Sequence, residues 1–319
     1  MKKLALALSI VLVLTMATAC SGGQAGGKFP NNPVTLVTYS SVGGGGDIAS
    51  RMLSELCSSG NYLPQKMLVE NIPGAGTITG IEHVAKAKAD GYTILFITKN
   101  FCLAPYNQNR PELAPPDVFD PIISLTREPS MIVVRADSPY NTFQDLIDYG
   151  KANPGGLLWG GTGPADQMVI NSIEQAAGIK VSYMQYEGGS DSTVALVGGH
   201  IDVITNGPPE TMSFVESGDL KYLAIASDKR FDSFPDVPIV DEFGLDIPSG
   251  DTYRGLVTPK GTPKEVVDVL HDAMQKVIET DAWKEFLELN GMEANNMTNE
   301  EFWEFIKEDN QICKDFFGF

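Results

Sequence analysis

The sequence predicts an α/β protein built as two lobes, and three observations carry that prediction. Strand-like and helix-like patterns alternate along the chain, and three glycine-rich turns each join a strand-like run to a helical one. A length of 319 residues suits two lobes better than one. With 43% hydrophobic and 20% charged residues, the composition excludes a disordered or collagen-like chain. A chain this long buries a large core without disulfide staples. The formal charge of −18 argues against nucleic acid as a partner, because phosphate binding needs clustered Lys and Arg. It also opposes attraction to anionic lipid headgroups.

The first elements read as an address. Lys2 and Lys3 form a basic start, Leu4 to Val13 is apolar but too short to span a bilayer, and Ala17-Thr18-Ala19 precedes Cys20. This pattern predicts a lipoprotein signal over 1–19 with Cys20 as the lipidated N-terminus; an ordinary secretory signal cut nearby is the alternative. Residues 20–29, glycine-rich and polar, read as a flexible tether. Val34–Tyr39 is strand-like, and from Asp47 onward Ile48, Met52 and Leu56 share one helical face. Lys66–Glu70 is the next strand, Ile78–Lys88 a helix closed by Asp90-Gly91, and Tyr92–Thr98 a strand. Met131–Arg135 is another. Thr142 and Asp145 form a capping-box variant opening a helix that stops near Pro154. Leu157–Gly160, Val181–Tyr186, Ile201–Thr205 and Lys221–Ala226 are four further strands. Thr262-Pro263-Lys264-Glu265 and Thr298-Asn299-Glu300-Glu301 each predict a helix start. The alternation predicts largely parallel sheets.

The three glycine turns are Ser40–Asp47, Gly160–Ala165 and Glu187–Asp191. Glycine lets a backbone approach a ligand closely, and a helix N-terminus offers free N–H groups and partial positive charge. Such a place suits a carboxylate or phosphate without Lys or Arg. In α/β sheets the cleft at the carboxyl ends of the strands is the usual ligand site. One such loop would read as an ordinary turn with Asp47 or Ser190 as helix cap; three together favour a binding cleft. Asp47 and Asp191 either cap their helices or pair with a ligand ammonium. Gly44-x-Gly46-x-x-Ala49, with Glu70 one strand later, has the outline of a dinucleotide fingerprint, an unspecific match within a glycine run. No nucleophile elbow, phosphate loop or H-E-x-x-H occurs. His83, His200 and His271 are scattered and Cys57, Cys102 and Cys313 form no C-x-x-C pair, so neither zinc nor another cofactor is expected.

Ordered motifs resemble one family over Pro30 to Phe305. Val69-Glu70-Asn71-Ile72-Pro73-Gly74-Ala75-Gly76 and the run from Ala85 through Asp90-Gly91-Tyr92-Thr93 to Leu95 resemble the signature of the tripartite tricarboxylate transporter receptors, the Bug-type extracytoplasmic solute-binding proteins. The segments Tyr186–Asp191, Leu196–Asp202, Leu220–Ala226, Phe234–Pro238 and Arg254–Pro263 match in the same order. The resemblance implies a type II periplasmic-binding-protein-like fold, with two crossing strands as hinge near Val133–Arg135 and Tyr253–Leu256. Lobe 1 would span 28–130 plus 254–319, and lobe 2 131–253. It implies a small carboxylate solute, delivered to a membrane permease of one large and one small subunit, with no enzymatic role. Carried over by motif, the ligand-binding positions are Tyr39, Ser40, Ser41, Gly44, Gly45 and Asp47 from the first lobe. From the second they are Gly161, Thr162, Gly163, Ala165, Gly188, Gly189, Ser190, Asp191 and Asp202. The first loop is one residue longer than the common family form and Val42 interrupts its small residues, and Pro164, Asp166 and Gln167 stand where relatives often carry a serine and then a histidine. No arginine clamp is evident, which favours recognition by amides. A lipoprotein that presents its solute to a sensor, or an exported enzyme with a glycine-loop site, are the rival readings.

Overall fold

A computed structural model describes residues 28–319 except Glu187; the expected signal, Cys20 and most of the tether lie outside the described residues. One sheet contains β1 (Val34–Thr38), β2 (Met67–Asn71), β3 (Thr93–Ile97), β4 (Phe119–Glu128), β10 (Thr252–Pro259) and β11 (Glu293–Ala294), in the order β11-β4-β10-β3-β1-β2. The other contains β5 (Met131–Arg135), β6 (Leu157–Gly161), β7 (Val181–Gln185), β8 (Val203–Asn206) and β9 (Leu220–Ile225), in the order β7-β6-β8-β5-β9. The α/β class is as expected, but the sheets are mixed rather than largely parallel. β1 pairs parallel with β2 and β3, and β6 with β7 and β8. The strands next to the crossings between the sheets run antiparallel to their neighbours, β10 against β3 and β4, and β5 against β8 and β9.

That passage falls at Pro129–Ser130 and Ser249–Asp251, a few residues before the positions favoured by the sequence reading. There Ala226 N–H donates to Ser130 C=O at 2.8 Å, and Gly250 N–H to Ala226 C=O at 2.8 Å. Short apolar strands form because helices cover both faces of each sheet. Along β1 and β3, Val37 and Leu95 pack into one cluster while Leu36 and Ile94 pack into the other. β5 alternates likewise, Ile132 and Val134 against Trp159 on one face, Met131 and Val133 against Ile204 on the other.

The helices of eight residues or more are α1 (Gly45–Ser59), α2 (Ile78–Ala85), α3 (Asn100–Asn107), α4 (Phe143–Ala152), α5 (Pro164–Ala177), α6 (Gly189–Val197), α7 (Pro208–Glu216), α8 (Lys264–Ile278), α9 (Asp281–Leu289) and α10 (Asn299–Phe317). The expected capping boxes form at Thr142 and Thr298, and Thr280 caps α9. The one expected at Thr262 does not. Its hydroxyl turns back to Pro259 C=O at 2.8 Å and to Thr258, so α8 begins at Lys264. Cys57, Cys102 and Cys313 are buried free thiols.

Candidate functional site

A cleft of about 780 Å³ lies where the carboxyl ends of β1, β2 and β3 face those of β6, β7 and β8. Six helices begin beside it. Gly44 and Gly45 start α1, Thr77 precedes α2, and Asn100 starts α3; Pro164, Gly189 and Pro209 lie in the first turns of α5, α6 and α7. None of the six has its first amides capped by the side chain before it. Of the four that start elsewhere, α4, α9 and α10 do and α8 does not. Each helix start carries about half a positive charge. α1, α5 and α6 leave first-turn N–H groups without a partner among the described residues, whereas Ile78 and Thr79 of α2 and Phe101 and Cys102 of α3 donate to C=O groups just before them and Pro208 and Pro209 of α7 have no N–H. Convergence of six gives an overall acidic chain a locally favourable place for an anion.

Acids in the first turn brace two of the loops. Asp47, third residue of α1, is 2% exposed. Its carboxylate accepts from Gly43 N–H at 2.8 Å, Asn71 Nδ2 at 2.9 Å and Arg51 Nε at 3.1 Å. Asn71 Nδ2 also donates to Ser40 C=O at 3.0 Å, fixing the start of the loop. Burial alone would raise the Asp47 carboxyl, but the bonds from Arg51, Gly43 and Asn71 outweigh it and hold it below the usual aspartate value. Asp166, third residue of α5, accepts from Thr162 N–H at 2.7 Å and Thr162 Oγ1 at 2.8 Å. Burial nonetheless pushes its carboxyl up to about 6. A third loop is held from within lobe 2: buried Asn206 Nδ2 donates to Gly189 C=O at 2.9 Å and to Thr193 Oγ1 at 3.1 Å.

The cleft wall carries charge that the sequence did not reveal. Arg254 on β10 pairs through Nη2 with Glu128 Oε2 and donates from Nη1 to Gly45 C=O at 3.0 Å. Both members of the pair are buried, and Arg254 Nε has no partner among the described residues. Glu210, third residue of α7, lines the cleft beside them. Burial first, then the nearby Glu128 carboxylate, push its carboxyl up to about 7 against the pull of Arg254. Tyr39 forms part of the floor, its hydroxyl accepting from Thr98 N–H at 2.6 Å.

The turn after β2 is strained. Gly74, Ala75, Gly76 and Thr77 all have positive φ, 131°, 47°, 60° and 78°. For Thr77, a β-branched residue, that conformation is a genuine outlier, and its Oγ1 is buried with no partner among the described residues. The whole turn borders the cleft.

Of the expected positions, Tyr39, Ser40, Ser41, Gly44, Gly45, Thr162, Gly163, Gly188, Gly189 and Ser190 line this one cleft. Asp47 lies behind its loop. Gly161 is buried under Asp166 and Tyr183, and Ala165 packs on the apolar cluster of the first lobe. Asp191 is exposed and does not line the cleft. Asp202 is not at the cleft either. It precedes β8, and its carboxylate accepts from Leu158 N–H at 2.9 Å near the start of β6, the opposite end of the parallel strands. Arg254, Glu210, Asn100, Gln108 and the turn 73–77 line the cleft unannounced. The signal for Glu210 was present: an acid third in its helix, as in α1, α5 and α6. A separate cavity of about 340 Å³ lies among α10, β10 and the crossing segments, lined by Lys99, Arg127, Asp251 and Asp309.

Known proteins resemble the chain throughout. It is 35% identical over 283 residues to the UPF0065 protein in the gbd 5' region of Cupriavidus necator, covering 88% of this chain and 85% of that one. A TctC solute-binding protein from Polaromonas, at 30% identity and TM-score 0.75, covers 90% of this chain and 98% of its own. The periplasmic binding protein BugD, at 29% identity and TM-score 0.77, covers 91% and 97%. Residues 51–316 match the sequence profile described as the tripartite tricarboxylate transporter family receptor. With the two sheets, the glycine turns and the cleft between them, the chain belongs to the tripartite tricarboxylate transporter receptor family of solute-binding proteins.

Proposed function

We propose that the chain is an extracytoplasmic lipoprotein, anchored through Cys20, that captures a small carboxylate solute and delivers it to a permease of one large and one small subunit. Lobes spanning 28–130 plus 254–319 and 131–253 close on the solute. The carrying observation is the meeting of six helix starts at one cleft, where the unspent amides of α1, α5 and α6 can hold a carboxylate without a dedicated cation. Ser40, Ser41, Gly44 and Gly45 would hold it from one side, Gly163, Gly188, Gly189 and Ser190 from the other, with Thr162 lining the cleft while its donors stay on Asp166. The charge of −18 is no obstacle, since charges beyond about 8 Å are largely screened at physiological salt. Membership of a family of solute-binding receptors supports capture rather than turnover. A thermal-shift screen of small carboxylates, sugars and amines tests this. A carboxylate at one hundred times its dissociation constant adds about 2.7 kcal/mol of stability. Stabilisation by neutral solutes alone would reject the reading.

A further inference from the structure

We propose that Glu210 makes the cleft selective for carboxylate solutes that also carry a protonated nitrogen, amino acids being the simplest class. This rests on the reading that a carboxylate solute occupies the cleft. Asp47 and Asp166, third in their helices, spend their oxygens on N–H groups of their own loops. Glu210 takes only its own backbone N–H. The two residues before it, Pro208 and Pro209, have no N–H, and the Gly207 N–H already donates to Asn206 Oδ1 at 2.9 Å. Among the described residues its carboxylate takes no side-chain hydrogen bond, and it faces the cleft.

Its charged surroundings leave it uncompensated. Arg254 on β10, Glu128 on β4, Asp166 on α5 and Tyr222 on β9 are the titratable groups that bear on it. Arg254 is committed to Glu128 and to Gly45 C=O, so that pair is close to neutral. Glu128 Oε1 and Glu210 Oε2 lie against the same backbone carbon. A Cβ at Gly207 would overlap the first and stand 3.3 Å from the second. With Glu210 ionised, two carboxylates and one guanidinium therefore leave a net negative charge beside the solute, to which Asp166 adds. A plain dicarboxylate would meet it with a like charge, whereas an ammonium on the solute cancels it.

The two outcomes move protons in opposite directions. An ammonium favours the ionised form of Glu210, so binding near pH 7 releases a proton; an added carboxylate favours the protonated form, so binding takes one up. Calorimetry in two buffers of different ionisation enthalpy, with the pairs aspartate and succinate, glutamate and glutarate, alanine and propionate, reads both affinity and proton count. The expected result is at least about a tenfold preference for an amino member (about 1.4 kcal/mol) with proton release. In Glu210→Gln both the preference and the release disappear while carboxylates still raise the melting temperature. Equal or tighter binding of the members without nitrogen, or a preference that survives Glu210→Gln, would overturn the inference and leave carboxylate capture standing. If no carboxylate of either kind binds, both fall together. The pairwise comparison on the unsubstituted protein decides the matter even where the variant misfolds.

Discussion

Replacing Asp47 with Ala tests whether the first glycine loop is held by a buried acid or merely happens to lie near one. The substitution removes acceptors from Gly43 N–H and Asn71 Nδ2, at 2.8 and 2.9 Å, in a place 2% exposed. Hydrogen bonds to a charged group contribute about 1.5 kcal/mol or more each, so the loss is about 3 kcal/mol. Arg51, whose side chain is 53% exposed, adds little because solvent screens it. Urea titration should show a lower midpoint with an unchanged slope, and affinity for the solute should fall because Gly43 loses its acceptor and Asn71, which holds Ser40 C=O, loses a partner. The sign with pH follows from the depressed carboxyl. Its contribution is complete above the unfolded value of about 3.9 and is lost as pH falls through the lower folded value. The two proteins therefore converge in stability in strong acid. A difference below about 0.5 kcal/mol at pH 7, or one undiminished in acid, would refute the brace.

Three further expectations concern single side chains. Gly189→Val places a Cβ 2.8 Å from Asn206 Oδ1 and 2.9 Å from Glu210 Cγ, so calorimetry should show a roughly hundredfold loss of affinity (about 2.7 kcal/mol) in a protein that still melts cooperatively; near-native affinity would contradict backbone contact there. Thr77→Gly relieves a β-branched residue at φ 78° and should gain about 1 kcal/mol in denaturant unfolding, a loss indicating that the Thr77 hydroxyl matters more than the strain. Glu210, raised to about 7 in the fold, loses stability for the protein as pH climbs from its unfolded value near 4.5 through 7. Glu210→Gln should then be more stable than the parent by on the order of 2 kcal/mol at pH 8 and equal to it at pH 4, with parallel pH profiles as the refuting result.

What the sequence displayed was local. The glycine turns and their helices were legible because a turn of small residues between a strand and a helix is a contiguous signal. Thr142 and Thr298 were legible for the same reason, each partner being three residues away. Thr262 misled because its hydroxyl had a competing acceptor at the end of β10, a partner only the fold supplies. Asp202 misled through strand direction: a residue at the start of a parallel strand points the site to the wrong end of the sheet. Arg254 was hidden because its partners, Glu128 and Gly45, are 126 and 209 residues away in the chain. The acid at the third helical position was visible in six helices, yet only burial and pairing separate a brace such as Asp47 from an open acid such as Glu210.

The most direct test of the account is a crystal structure with the tightest-binding carboxylate found by the screen. The account predicts carboxylate oxygens about 3 Å from the amides in the first turns of α1 and α6, around Gly44–Gly45 and Gly188–Ser190, with the glycine loops of both lobes in contact with the solute. A solute held in the cavity of about 340 Å³ lined by Lys99, Arg127 and Asp309, with the glycine loops untouched, would contradict it.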